Sequence, residues 1–328
     1  MRGLTTTLRS LAVASLMIAG TASAMAQETV LKAVTYIPPT KVEDSMAVFK
    51  AWIDKVNEAG KGQIRIEILG GPDVFPVADQ FNALSKGLVD IAMTFTAHAG
   101  IVPEIDTTGL SDITPSEERE VGYFQLLDEA HNKFNVKLIG RTATNSGFYI
   151  FSKDPINKLA DFANVKIRSH SGYDGFFKKL GANPIGMNIS EIYGGLERSI
   201  VTAAPYNIFA YDLGLQEVTK YVLGDAFWPS HTTVTLMNLK KFNALTPEQQ
   251  KILLDAQLEV EAGMADMVAT MAATERQRLE GAGMTFTHLP PDEAKQWRRM
   301  ANDSRFEVLG ETVGQEQLDK IKSMIVRD

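Results

Sequence analysis

Residues 164–207, NVKIRSHSGYDGFFKKLGANPIGMNISEIYGGLERSIVTAAPYN, decide the reading of the whole chain. Val165 and Ile167 alternate with Lys166 and Arg168, the period of a half-buried strand. Ser171 stands as the cap of a helix running to Leu180, and Gly181 ends it. A short strand follows, Ser190 caps a second helix through Arg198, and Ile200–Ala204 forms a third strand. This strand-helix-strand-helix-strand order is half of a ligand-binding α/β domain, with a fixed cation, Arg168, near its mouth.

The same order occurs toward the amino terminus without being a sequence repeat. Thr29–Tyr36 reads as a strand stopped by Pro38 and Pro39. From Val42 to Asn57, Met46, Phe49, Trp52, Ile53 and Val56 form one helical stripe. Gln63–Leu69 alternates as a half-buried strand, a helix is predicted near Val77–Lys86, and the nearly all-apolar Val89–Phe95 reads as a strand covered on both faces. Ala97–Asp112 lacks periodicity and is assigned as loop, and Pro115–Phe134 as one helix capped by Ser116. Val136–Ile139 and Gly147–Ser152 are predicted strands, with the chain crossing between domains around Thr144–Gly147.

Beyond the central stretch, Tyr221 and Val222, then Phe227 and Trp228, precede an alternating segment, His231–Met237, expected to return to the first domain. Ile252, Leu253, Ala256, Val260, Met264, Met267 and Met271 then stripe a helix from Pro247 to about Glu280. At 1.5 Å per residue this helix is roughly 50 Å long, enough to run along both domains. A strand around Met284–Leu289 and helices from Pro291 to Val326 complete the chain.

Composition narrows the function. Arg2 and Arg9, the apolar run Leu11–Ala19 and Ala24-Met25-Ala26 have the order of an export signal, residues 1–26, cleaved near Ala26 into the periplasm. The chain has no cysteine, which excludes a lipoprotein anchor, a thiolate metal site and disulfide support. A net charge of −7 without a long basic run argues against nucleic acid. None of the five histidines stands at paired metal-ligand spacing, and no GxSxG, P-loop or GxGxxG appears. No catalytic residue, metal or cofactor is therefore assigned, and the chain is read as a non-enzyme.

Several segments together resemble the solute-binding proteins of tripartite ATP-independent periplasmic (TRAP) transporters: the export signal, KGLVDIAM, SKDPINKLADFANVKIRSHSG, LGANPIGMNISEIYGGLERSIV and the long carboxyl-terminal helix. The likeness runs from about Leu31 to the end and is most specific over residues 154–201. It implies an α/β fold: a two-lobed clamshell with mixed sheets flanked by helices and a long helix spanning both lobes. Residues 27–146 plus about 233–275 would form domain I, and 147–232 plus about 276–328 domain II. It also implies a monomeric receptor that captures a small organic acid and delivers it to a permease with a small and a large membrane subunit. A component of an ATP-driven importer and a periplasmic enzyme acting on small acids are the alternatives.

The position matching the family's carboxylate-binding arginine is Arg168, whose guanidinium offers parallel donors to a carboxylate fork. Many relatives carry a second basic residue about twenty positions earlier, where this chain reads Gly147-Phe148-Tyr149. The cleft is therefore expected to be aromatic, with Phe95, Phe148, Tyr149, Tyr206 and Trp228 against an apolar or aromatic ligand body. His170, Asn207, Thr94 and Tyr36 are the candidate polar contacts.

Overall fold

The computed structural model describes residues 28–41, 43–142, 147–228 and 233–327. The export signal and most of the expected crossing near Thr144 lie outside them. The first half contains β1 (Thr29–Thr35), α1 (Asp44–Ala59), β2 (Ile64–Gly70), α2 (Val77–Ser85), β3 (Ile91–Thr94), α3 (Pro115–Glu120), α4 (Tyr123–Asn132) and β4 (Val136–Arg141). The second contains β5 (Phe148–Ser152), β6 (Lys166–Ser169), α5 (Ser171–Lys179), β7 (Asn183–Gly186), α6 (Ile192–Glu197), β8 (Ala203–Asn207), α7 (Leu215–Val218) and β9 (Tyr221–Trp228). The chain then returns through β10 (Val234–Asn238), α8 (Leu239–Asn243), α9 (Pro247–Gly281), β11 (Thr285–Thr287), α10 (Pro291–Val313) and α11 (Gln315–Ile325).

Two mixed sheets result. The first has the order β2-β1-β3-β10-β4, with β1 parallel to β2 and β3, and β10 antiparallel to β3 and β4. The second has the order β11-β9-β5-β8-β6-β7, in which β5 runs antiparallel to β8 and β9 while β6 is parallel to both neighbours. Helices cover both sheets. The α1 stripe of Met46, Phe49, Trp52, Ile53 and Val56 enters the first core as its spacing requires, and Trp52 donates its indole N–H to the Leu253 carbonyl of α9 at 3.0 Å.

The helix α9 joins the two halves. Its Leu253, Val260 and Met264 belong to the first core, and Leu279 to the second-sheet cluster of Phe151, Ile192 and Tyr206. Two buried carboxylates clamp it. Glu261 accepts from Nε and Nη2 of Arg119, at 2.8 and 3.0 Å, and from the main-chain N–H of Arg141 at 2.9 Å. Glu275 accepts from the main-chain N–H of Tyr211 at 3.2 Å and from Arg278 at 2.8 Å, while Arg278 also pairs with Asp212.

Several expectations are corrected. Residues 97–112 are not featureless but form two 3-10 turns, Thr96–His98 and Pro103–Leu110. The single helix expected over Pro115–Phe134 is two, broken where Gly122 adopts φ +81°, and its cap is Thr114 in a capping box with Glu117, not Ser116. Tyr221–Trp228 is one continuous strand. The last helix, α11, buries Ile321 and Ile325 with Val34, Leu127 and Leu236 beside the first sheet, and Leu318 with Phe306 and Leu309 of α10.

Gly140 shows how closely β4 approaches α9: a Cβ there would lie 2.4 Å from both Gln257 Nε2 and Glu261 Oε1. Both atoms are held by hydrogen bonds and cannot retreat without breaking the clamp. Gly140→Ala is expected to destabilise the fold by about 1–3 kcal/mol, read as a lower midpoint in urea unfolding. An unchanged midpoint would show that α9 yields.

Candidate functional site

The carboxyl ends of β6, β8 and β9 and the start of β5 lie along one edge of the second sheet, where Phe148 stands in register with both Asn207 and Trp228. Arg168, the third residue of β6, is 5% exposed. Its Nε donates to the Met187 carbonyl at 2.9 Å, which fixes the plane of the guanidinium. Burial pushes its pKa below the ordinary value, and the phenols of Tyr173 and Tyr206 oppose that shift. Among the described residues no carboxylate stands within ion-pair distance of it.

The chain turns immediately after Arg168. His170 caps α5, its Nδ1 accepting from the Gly172 N–H at 3.1 Å, where Ser171 had been expected to do so. Its ring lies 3.8 Å from that of Tyr173. Desolvation, then the positive charges of Arg168 and Arg305, push the His170 pKa down to about 4. The imidazole is therefore neutral at neutral pH, with its proton on Nε2.

Aromatic rings continue the edge: Tyr173 and Trp228 are 4.9 Å apart, Phe148 and Trp228 6.2 Å. Phe227, beside them, is fully buried and belongs to the core. Tyr149 alternates to the opposite face of β5 from Phe148, in register with Tyr206.

The facing lobe contributes the carboxyl ends of β1 and β3. Tyr36 and Phe95 meet edge to face at 5.3 Å. The Tyr36 hydroxyl donates to Glu43 Oε2 at 3.0 Å, and Tyr206, from the other lobe, donates to Glu43 Oε1 at 2.9 Å. One buried carboxylate thus binds phenols from both sheets. Burial first, then the Glu43 charge, raises both phenol pKa values far above 10.

Arg168, His170, Phe148, Trp228, Tyr206, Tyr36 and Phe95 therefore come to two facing edges. Three candidates have other local roles. The Thr94 hydroxyl donates to the Phe95 carbonyl, the Asn207 carboxamide oxygen accepts from the Phe209 N–H at 2.9 Å, and Tyr149 packs with the cluster around Ile192. Sequence reasoning missed Glu43, because an acid at the start of a helix ordinarily reads as a dipole partner. His98 and His131 are a core pair, Nε2 to Nε2 at 3.0 Å, with His98 stacked 4.6 Å from Phe81.

The His170 shift has a sign that can be tested. In the unfolded chain this histidine titrates near 6.5, in the folded protein near 4. Between those values the unfolded state holds the extra proton, so the stabilisation from neutral His170 is complete above pH 6.5 and lost as the pH falls toward 4. His170→Gln is expected to flatten the fall in stability over that window relative to wild type. An identical pH slope in the two proteins would contradict the placement of His170 beside two guanidinium groups.

The model of the family described as "Bacterial extracellular solute-binding protein, family 7" (DctP) matches residues 35–307. An uncharacterised Haemophilus influenzae protein is 26% identical over 225 residues, 64% of this chain and 66% of that one. The 2,3-diketo-L-gulonate-binding periplasmic protein YiaO of Escherichia coli is 25% identical over 269 residues, 77% of this chain and 79% of its own. The chain thus spans just under two thirds of the first relative and more of the second. The crystal structure of a TRAP periplasmic solute-binding protein from Ochrobactrum anthropi shares the fold at TM-score 0.77 and 19% identity, covering 91% of this chain and 95% of that one. With two mixed sheets whose edges face each other, a helix tying them together and a family model matched over most of its length, the chain belongs to family 7 of the bacterial extracellular solute-binding proteins.

Proposed function

We propose that the protein captures a small organic acid between its two lobes, with Arg168 as the anchor of the carboxylate, and delivers it to a TRAP-type membrane permease. The observation that carries this reading is a buried guanidinium held by one carbonyl, without a carboxylate of its own, at an edge lined by aromatic rings. A carboxylate received there gains paired, charge-assisted hydrogen bonds in a medium that screens them poorly. Phe148 and Trp228 on one lobe and Phe95 and Tyr36 on the other offer flat apolar surface to the ligand body. His170 adds a neutral donor.

The lobes follow the two sheets, 27–146 with about 233–275 and 147–232 with about 276–328, with α11 lying between them, Leu318 on the second core and Ile321 and Ile325 on the first. Cleavage near Ala26 would release the mature receptor into the periplasm as a monomer, to dock on the small and large subunits of the permease. Ligand binding selects the closed arrangement, since the aromatic and cationic contacts come from both lobes.

Arg168→Met is expected to weaken binding of any acid that wild type binds by about 2–5 kcal/mol, with the fold retained. The measurement is calorimetry on ligands first found by a thermal-shift screen of organic acids, in which a native-state ligand raises the melting temperature. Affinity unchanged in the variant would remove Arg168 from the site. Chemical turnover of the bound acid would replace the receptor reading with an enzymatic one.

A further inference from the structure

Arg305 lies on α10, more than a hundred residues after Arg168, and the reading above leaves its charge unused. It is 6% exposed. Its Cζ lies 4.1 Å from the centroid of the Trp228 ring, and its Nη1 is 3.9 Å from where a Cβ on Gly172 would stand, at the first turn of α5. Nη2 reaches the turn before α3, donating to the Asp106 carbonyl at 3.1 Å and lying 2.8 Å from its carboxylate. That contact orients the guanidinium and uses one end of it. The Nε of Arg305 is buried without a hydrogen-bond partner, and so is the indole Nε1 of the Trp228 ring it covers. An unpaired buried donor costs about 1–3 kcal/mol, so two of them beside one cleft mark where an acceptor belongs.

We propose that Arg305 is the second cation of the acid site and, with Arg168 and the Nε2–H of His170, holds an acceptor oxygen of the ligand other than its anchored carboxylate. The inference rests on the organic-acid reading of the cleft. Asp106 pairs with Arg305, and both Asp106 and Asp174 face His170, from the neighbouring turn and from α5. They offset much of the added positive charge, so the second group on the ligand is a neutral acceptor such as a 2-oxo oxygen and not a second carboxylate. Arg305 thereby separates acids by what stands beside the carboxylate, while Arg168 binds the carboxylate itself.

The test uses the full mature protein and matched probes: propionate with pyruvate, 4-methylpentanoate with 4-methyl-2-oxopentanoate, and 3-phenylpropionate with phenylpyruvate. Wild type is expected to favour the 2-oxo member of a bound pair by about tenfold to a hundredfold, the range of one hydrogen bond to a charged group. Arg305→Met should abolish that preference. Arg305→Lys should keep part of it, and Asp106→Asn should keep it with both affinities slightly changed. A folded Arg305→Met that retains the preference overturns the inference, as does equal loss of both members in Arg305→Met and Asp106→Asn, which would make Arg305 a strut between lobes. If Met does not fold, the Lys variant decides, and a wild-type preference left whole in it overturns the inference. Wild type binding acids with no preference for the 2-oxo member also overturns it while leaving the organic-acid reading intact. Wild type binding none of the six probes nor any acid in the wider screen defeats the organic-acid reading itself, and the inference with it.

Discussion

The structure depends on the way α9 is clamped. Glu261 and Glu275 are fourteen positions apart, roughly 21 Å along the helix, and each is buried against main-chain N–H groups of a different lobe. A buried carboxylate left unpaired would cost several kcal/mol, so each clamp holds only while its arginine and its backbone donor stay in place. Arg119 and Arg141 tie the first lobe to the helix, and Tyr211 and Asp212, the latter through the helix's own Arg278, tie the second. The two sheets are joined along this rod, with further links from Glu43 to Tyr206 and from Asp106 to Arg305.

The site follows from where strands end. In open α/β sheets the carboxyl ends of strands leave side chains and loops projecting past the hydrogen-bonded ladder, and ligands collect there. Here Tyr36 and Phe95 project from the first sheet, and Arg168, Tyr206 and Trp228 from the second. The cost of desolvating Arg168 is opposed within the protein by one carbonyl and two phenols, so the guanidinium is held in a fixed orientation at the end of its strand. His170 remains neutral first because it is buried and then because the charges of Arg168 and Arg305 repel a second proton.

Most of the architecture was legible because burial imposes a period. Ile64, Ile66 and Ile68 alternate where β2 is covered on one side, and the α9 stripe appears at helical spacing wherever a core receives it. The errors fall where local polar bonds compete with periodicity: the Thr114 capping box, the left-handed Gly122 and the His170 cap all depend on a single side chain or φ value. Arg168 was singled out only through its motif. Glu43 and Arg305 were not, because their roles arise from contacts across 163 residues in one case and 199 in the other. No local pattern encodes such a meeting.

The contact of Glu43 with Tyr36 and Tyr206 has a consequence for the medium in which the receptor can work. Both phenols are held far above their usual titration range by burial and by the carboxylate they share. A group whose pKa is raised on folding keeps its full stabilisation below the unfolded value, here near 10, and loses it only as the pH rises further. The phenol contacts on Glu43, one of them reaching across from the second sheet, therefore keep their stabilisation through neutral and mildly alkaline media.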